Sequence, residues 1–354
     1  MDRFRIDSHK LVFHAERVNE WLKGRLVCPI YLEIAPSGGC NHRCIFCAVD
    51  YLKYKPIFIN SGILIKRIKE ASRLGVKSIM YAGEGEPLLH KDIAKIIKET
   101  KGAGIDVSIT TNGVLLNKDI SEGILKYLSW IRISLNAGTP LTYSRVHRCH
   151  KEDLQRVLNN LKEAAYIKKR SGLKTTIGVQ FLLIPQNAQE VVLLAKKVKN
   201  IGLDYFIVKP YSQHPFSSSR IDKRFKYEDY FGLEEDLRKM ENEDFQIIFR
   251  DHAMMRLAVA KEYRNCLGAP FWAYIDAKGD VYACSAFLGK KTFCFGNIYE
   301  DNFKTTMNGN RRKIVIKMIS EKLNVGKCRQ ACRLDKINSY LWQLKHPGPH
   351  VNFI

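Results

Sequence analysis

Between residues 31 and 209 short apolar runs alternate with longer stretches of helical period, six times over. The runs are 31–34, 78–81, 106–110, 130–134, 176–183 and 205–209. The stretches between them predict helices at about 61–74, 91–103, 117–128, 151–170 and 187–201. Strands spaced by helices of this length cannot pair as hairpins. They require crossovers, hence a parallel sheet with right-handed connections and an α/β fold. Each run is short and apolar, as a strand covered on both faces should be. Such a sheet, when curved or closed, carries its chemistry at the C-terminal ends of its strands.

Those ends are where the unusual residues fall. Cys40, Cys44 and Cys47 follow the first strand after Pro36-Ser37-Gly38-Gly39, within eight residues. Gly83-Glu84-Gly85-Glu86-Pro87 follows the second strand. Thr110-Thr111-Asn112-Gly113 ends the third, Ser134-Leu135-Asn136 the fourth, and Pro185-Gln186-Asn187 tips the fifth. Lys209, Tyr211 and Gln213 close the sixth, facing where a substrate would lie. Thiolates suit zinc and iron–sulfur clusters. A closed zinc site wants four ligands and a cubane cluster commonly takes four cysteines. Three leave one position for a ligand from outside the protein. His42 offers itself as a fourth, although a loop histidine here is expected to face solvent.

Ten cysteines occur in the chain, and its charged N-terminus leads to no apolar signal core. No apolar run reaches bilayer length. The expectation is a cytoplasmic protein without a membrane partner, with thiols kept reduced and clustered cysteines reading as metal sites. A second group follows at Cys266, Cys284, Cys328 and Cys332. Cys266-x12-Gly279-x4-Cys284 brackets a predicted hairpin at 273–282, turning on Lys278-Gly279-Asp280. Cys28, Cys149 and Cys294 stand alone and read as buried free thiols. Four thiolates make a closed site, for which zinc is a rival on ligand count alone.

Net charge is +22. From Phe303 to Lys345 there are eleven Lys or Arg and two acids. This favours anionic partners such as phosphates or nucleotide-linked molecules, though a solvated basic surface would look the same. A nucleic-acid-binding zinc protein is the reading from another class. It leaves the cysteine triad and the strand-end motifs unexplained, so nucleic acid is not the expected partner.

The Cys-x3-Cys-x2-Cys spacing after a strand resembles the radical S-adenosylmethionine (SAM) superfamily, and residues 30–215 carry the resemblance. It implies a partial (β/α)6 TIM-like barrel. A 4Fe–4S cluster would sit on Cys40, Cys44 and Cys47, with SAM chelating the open iron. SAM contacts would come from Phe46 on the adenine side; from Gly83, Gly85, Glu86 and Pro87 on the ammonium side; and from Thr111, Asn112, Ser134, Asn136 and Asn187. The sequence departs by placing Glu84 between the glycines, and by Asn136 where the family often has Asp. The second group, with Phe295-Gly296-Asn297-Ile298, resembles the small cysteine-rich SPASM/Twitch extension of that superfamily. Four well-placed cysteines imply the Twitch form with one auxiliary 4Fe–4S cluster.

The resemblance implies reductive cleavage of SAM to a 5′-deoxyadenosyl radical and hydrogen abstraction, fed by a flavodoxin- or ferredoxin-type donor. A closed auxiliary cluster suggests a dehydrogenase-type, two-electron oxidation of a carbohydrate-like or nucleotide-linked small molecule. Peptide or protein side-chain modification, of the ribosomal peptide maturase type, is the alternative. The residue acting as catalytic acid or base is not readable. The expected organisation is a helical extension at 1–29, the barrel at 30–215, a linker at 216–262 with helices at about 228–241 and 253–263 and a strand near 245–249, the auxiliary-cluster domain at 263–340 and a tail at 341–354. That tail would either tuck against the barrel opening or be a disordered terminus.

Overall fold

A computed structural model describes residues 3–6, 8–221 and 224–353. Ten strands form one sheet: β1 (Tyr31–Ile34), β2 (Ser78–Tyr81), β3 (Asp106–Thr111), β4 (Trp130–Ser134), β5 (Thr176–Leu183), β6 (Tyr205–Pro210), β7 (Gln246–Phe249), β8 (Trp272–Ile275), β9 (Asp280–Tyr282) and β10 (Cys294–Asn297). Their order is β10-β9-β8-β1-β2-β3-β4-β5-β6-β7. From β8 through β7 every neighbour is parallel. The six expected strands are therefore present in chain order.

Two further strands extend them. The strand expected near 245–249 is present and forms a seventh parallel strand on β6. The expected hairpin is β8–β9, and β8 pairs in parallel with β1. The cysteine-rich region thus continues the barrel sheet.

Alternation along the strands sets two faces. Ile131 and Ile133 of β4, Val179 and Phe181 of β5, and Phe206 and Val208 of β6 are completely buried and pack into the main core with the helices. Each such side chain contributes about 1.5–3 kcal/mol by burial. The intervening Arg132, Ser134, Gln180 and Lys209 point the other way and are only partly covered. They line the concave side.

Helix starts follow capping chemistry. Asn60 accepts from Ile63 N–H at 3.0 Å and Asn117 from Ile120 N–H at 2.9 Å, opening Ser61–Arg73 and Lys118–Ile124. A helix not expected, Pro140–His147, begins with Thr139 as cap and Pro140 in its first turn.

Elsewhere the helices are shorter than expected. The region 228–241 holds Leu233–Arg238, and 253–263 holds Asp251–Met255. The N-terminal helix Ala15–Leu22 packs through Val18 on Leu341 and Phe271.

The chain's end goes against one of the two expectations for it. Helix Asp335–Lys345 carries the chain outward, and residues 346–353 are exposed, with Phe353 at 83%. The tail does not cover the barrel opening. Among the described residues no helix is long and apolar enough to cross a membrane.

Candidate active site

The loop after β1 carries the first cysteine group and is tied down on three sides. Glu86 N–H donates to Gly39 O at 2.8 Å. Gly85 lies against the loop so closely that a Cβ would collide with the Ser37 and Gly39 carbonyls. Gly83, at φ +120°, leaves no room beside Ala35 and the Tyr274 hydroxyl. Both glycines of the 83–87 segment are therefore fixed by close approach. Arg43 N–H donates to His147 O, and Ile45 N–H to Val146 O, each at 3.0 Å. Cys44 thus lies between two backbone bonds to the helix Pro140–His147.

Glu86 is buried and its carboxylate is fully engaged. It accepts from Leu88 N–H (3.0 Å), the Thr111 hydroxyl (2.6 Å) and Asn112 N–H (2.8 Å). Burial still raises its pKa, against those three bonds. The Asn112 side-chain amide donates to Asn41 at 2.6 Å, linking β3 to the cysteine loop. Asn136 accepts from Leu182 N–H at 2.6 Å, and Asn187 spans Ile184 N–H, Leu182 O and Asn136 O at 2.9 Å each. These three polar side chains hold the strand ends in shape. Phe46 packs into an apolar corner with Val146, Leu182, Ile184 and Tyr211, and Ser134 stays partly open. Pro87 is buried at the start of a 3-10 turn.

His42 is not solvent-facing as expected; it is buried against Tyr143 and His147. Its Nε2 faces the Asp153 carboxylate at 3.6 Å, beyond a good hydrogen bond. Nor is Cys149 alone: its sulfur lies within 4.8 Å of His42 and Asp153 ligand atoms.

Burial pushes the Cys40 thiol up to about 12, with Glu86 adding to it. It raises Cys44 well above the usual range, and Cys47 as well. A thiolate here needs a metal's positive charge beside it. The three sulfurs influence one another but are not a tight group. The triads of ligand atoms within 4.8 Å among the described residues are His42–Cys44–His147 and His42–Cys149–Asp153. A tetrahedral zinc site, with ~2.3 Å bonds, would draw its sulfurs to roughly 3.8 Å apart. The wider spacing fits a cubane cluster.

Cys266, Cys284, Cys328 and Cys332 line one cavity, walled by Ala269, Ile319 and Leu334. Burial raises all four thiols, Cys266 to about 12. Amide N–H groups two residues on aim at the sulfurs of Cys40, Cys284 and Cys332, at 3.4 Å in each case. Cys294 lies on β10, its thiol turned to Gly296 O. Cys28 is partly buried and packs against the main core.

The Cys328–Cys332 loop also reaches the barrel mouth. Ala331 N–H donates to the Ser212 hydroxyl (3.1 Å) and Arg329 Nε to Ser212 O (3.2 Å), just past β6. Arg333 pairs with Glu33 of β1 at 2.6 Å and donates to the Tyr31 hydroxyl at 2.5 Å. Its side chain is 43% accessible. Arg329, Arg250, Arg132 and Arg333 all press on the Lys209 ammonium. Burial first, and then these charges, hold its pKa well below the usual lysine range. The concave side therefore gathers four guanidinium groups about Lys209, and Glu33 lies among Arg333, Lys209 and Arg329.

Sequence reasoning found Lys209 but missed Arg132, Arg329, Arg333 and His147. Two of these had a signal, since an arginine directly follows each cysteine of Cys328-x3-Cys332. Tyr211 and Gln213 hydrogen-bond to each other at 2.8 Å just beyond β6.

Comparison with known proteins agrees with this geometry. The radical SAM superfamily profile matches residues 34–198, and an iron–sulfur cluster-binding SPASM domain matches 266–333. A probable GTP 3′,8-cyclase of Methanocaldococcus jannaschii is 30% identical over 181 residues, 48% of this chain and 55% of that protein. The corresponding protein of Methanothermobacter thermautotrophicus is 34% identical over 142 residues, 40% and 45% of the two chains. The chain spans about half the length of the curated relatives it matches.

Among solved structures, Streptococcus suis SuiB bound to S-adenosylmethionine superposes with a TM-score of 0.68 at 19% identity, covering 96% of this chain and 80% of that one. The enzyme anSMEcpe with bound AdoMet gives 0.56 at 18%, covering 87% and 91%. These two likenesses are of fold. Such domains bind a SAM-binding 4Fe–4S cluster, SAM and auxiliary iron–sulfur clusters. With both domains in one chain, over the barrel and its cysteine-rich extension, the protein belongs to the SPASM-containing subgroup of the radical SAM superfamily.

Proposed function

We propose that this radical SAM enzyme is an oxidoreductase that dehydrogenates an anionic, nucleotide-linked or carbohydrate-like small molecule held on the concave side of the barrel. In this reading Cys40, Cys44 and Cys47 hold the SAM-binding cluster. Cys266, Cys284, Cys328 and Cys332 hold a single auxiliary 4Fe–4S cluster, the Twitch arrangement. With SAM bound, the first cluster supplies a 5′-deoxyadenosyl radical that takes a hydrogen atom from substrate.

The carrying observation is the Cys328–Cys332 loop. It places two auxiliary thiols and two substrate-facing cations, Arg329 and Arg333, within six residues, anchored to Ser212 and Glu33. A substrate anion drawn to Lys209, Arg329 and Arg333 would lie beside the group suited to accept its second electron. Guanidinium forks bind phosphate and carboxylate in two-pronged fashion, which fixes orientation as well as position. Glu86, Asn112, Asn136 and Asn187, whose side chains are already engaged, shape the SAM side. Phe46, Ser134 and the 83–87 backbone remain to touch SAM. A flavodoxin- or ferredoxin-type protein would supply the first electron.

The named nucleotide of the GTP 3′,8-cyclase relatives supports an anionic nucleotide-type substrate. SuiB and anSMEcpe have been solved with peptides, so peptides form the other arm of the test. Candidate substrates deuterated at their carbinol carbons are incubated with the anaerobically reconstituted enzyme, SAM and a reductant. Deuterium in 5′-deoxyadenosine, with one deoxyadenosine per oxidised product, is the expected result. Transfer only from peptides, SAM recycled without consumption, or product at the substrate's own oxidation level would overturn the reading.

A further inference from the structure

We propose that His147 is a positioning residue whose Nδ1–H donates to the Cys44 sulfur and raises the reduction potential of the SAM-binding cluster. The inference rests on the reading of Cys44 as a cluster ligand.

His147 ends the helix Pro140–His147, and its Nδ1 lies 3.3 Å from Cys44 Sγ. The geometry at the other ring nitrogen decides which one carries the hydrogen. The backbone N–H of Asn136 points at Nε2 from 3.3 Å. The Asn136 side-chain nitrogen stands 3.4 Å from the same atom. Its identity is fixed because the opposite oxygen, Oδ1, accepts from Leu182 N–H at 2.6 Å. A backbone amide can only donate, so Nε2 must accept. In the neutral ring the hydrogen is then on Nδ1, aimed at the sulfur.

The surroundings leave this arrangement little freedom. The residues flanking Cys44 are bonded to the same helix end, Arg43 N–H to His147 O and Ile45 N–H to Val146 O, each at 3.0 Å. The Tyr143 ring lies over the imidazole at a centroid distance of 4.4 Å, and Phe46 meets it edge-on at 5.7 Å. His147 is 1% exposed, so water does not compete for the sulfur.

An N–H donor withdraws charge from a ligating sulfur. That favours the reduced cluster, which carries one more negative charge, and hydrogen bonds to sulfur are a recognised lever on cluster potential. Asn136 thus acts on the cluster at one remove, by choosing the histidine tautomer.

The test is a redox titration of the reconstituted holoprotein followed by electron paramagnetic resonance. The auxiliary cluster serves as internal reference. His147→Phe removes the donor and is expected to lower the midpoint of the SAM-binding cluster. The shift should be about tenfold in the oxidised-to-reduced ratio at fixed potential, or about 59 mV for one electron. His147→Gln keeps an N–H donor and should restore part of the shift. Equal midpoints in H147F and the parent, or equal shifts in H147F and H147Q, would overturn the proposal.

Parent protein carrying ring-15N histidine gives a reading that depends on no variant. Its reduced SAM-binding cluster should show a nitrogen coupling by pulsed resonance, and absence of that coupling also overturns the proposal. A Cys44→Ala protein that keeps this cluster would instead overturn the ligand reading beneath it.

Discussion

The Glu86 carboxylate accepts the backbone N–H of Asn112 at 2.8 Å, and Asn112 in turn donates its side-chain amide to Asn41 at 2.6 Å. A buried acid at the end of β2 therefore holds the end of β3, which holds the cysteine loop. Glu86→Gln keeps the shape but turns an amide N–H toward one of three donors. We expect a loss of about 1–3 kcal/mol in unfolding free energy, with faster cluster loss on dilution into chelator. Denaturant unfolding of E86Q beside the parent measures the first, and iron release the second. A variant as stable as the parent would mean that the carboxylate does not tie these strand ends together.

Gly85 predicts a sharper failure at the same place. A Cβ there would meet the carbonyls of Ser37 and Gly39, which are backbone and cannot swing aside. Gly85→Ala should displace the loop before Cys40 and lower iron incorporation on the SAM side while sparing the auxiliary site. Iron and sulfide counts after reconstitution check this. About eight iron atoms per chain are expected for two cubane clusters and about four for G85A. Unchanged counts would show that the loop can shift without losing the cluster.

How far the sequence carried this structure depends on the range of the interaction. Local chemistry was legible. The β/α alternation gave six parallel strands, and the Gly83–Pro87 segment read as a turn after the second of them. Cys266, Cys284, Cys328 and Cys332 line one cavity, as their spacing implied. Long-range pairings were not legible. β8 lies beside β1 although some 240 residues separate them, because the strand's own pattern does not name its parallel partner. His147 meets Cys44 across 103 positions. The helix that places it was signalled only by Thr139-Pro140, a cap followed by proline. Basic charge was counted correctly, but which of it turns inward was not legible. Arg312 is fully buried and donates to the carbonyls of Val27, Met307 and Pro270, while Arg329 and Arg333 turn inward.

The inward cations make a prediction about affinity. Lys209, Arg329 and Arg333 gather near Glu33, which is already paired with Arg333. Lys209→Met removes an amine whose protonated form an incoming anion would favour. It should raise KM for the anionic substrate by about tenfold or more, and the loss should shrink at high ionic strength as screening takes over. Steady-state kinetics at two salt concentrations measures this. A KM equal to that of the parent would place the substrate anion elsewhere.

The junction between barrel and extension should respond to pH. Glu84 accepts from Ala277 N–H at 3.0 Å and sits close to Asp276, on the turn between β8 and β9. Burial, then the Asp276 charge, raises the Glu84 pKa to about 7; burial, then Asp280, raises Asp276 to about 6. A carboxyl whose folded pKa exceeds its unfolded value favours folding most when protonated. Its contribution is complete below the unfolded value near pH 4.5 and is lost as pH rises through about 7. Asp276 follows the same sign, its share fading as pH rises from near 4 through about 6. Stability of the junction should therefore fall between about pH 5 and pH 8. Glu84→Gln, which cannot ionise, should flatten that slope while keeping an oxygen for Ala277. Thermal unfolding of parent and E84Q across this range is the measurement. Parallel curves for the two proteins would show that Glu84 does not titrate there.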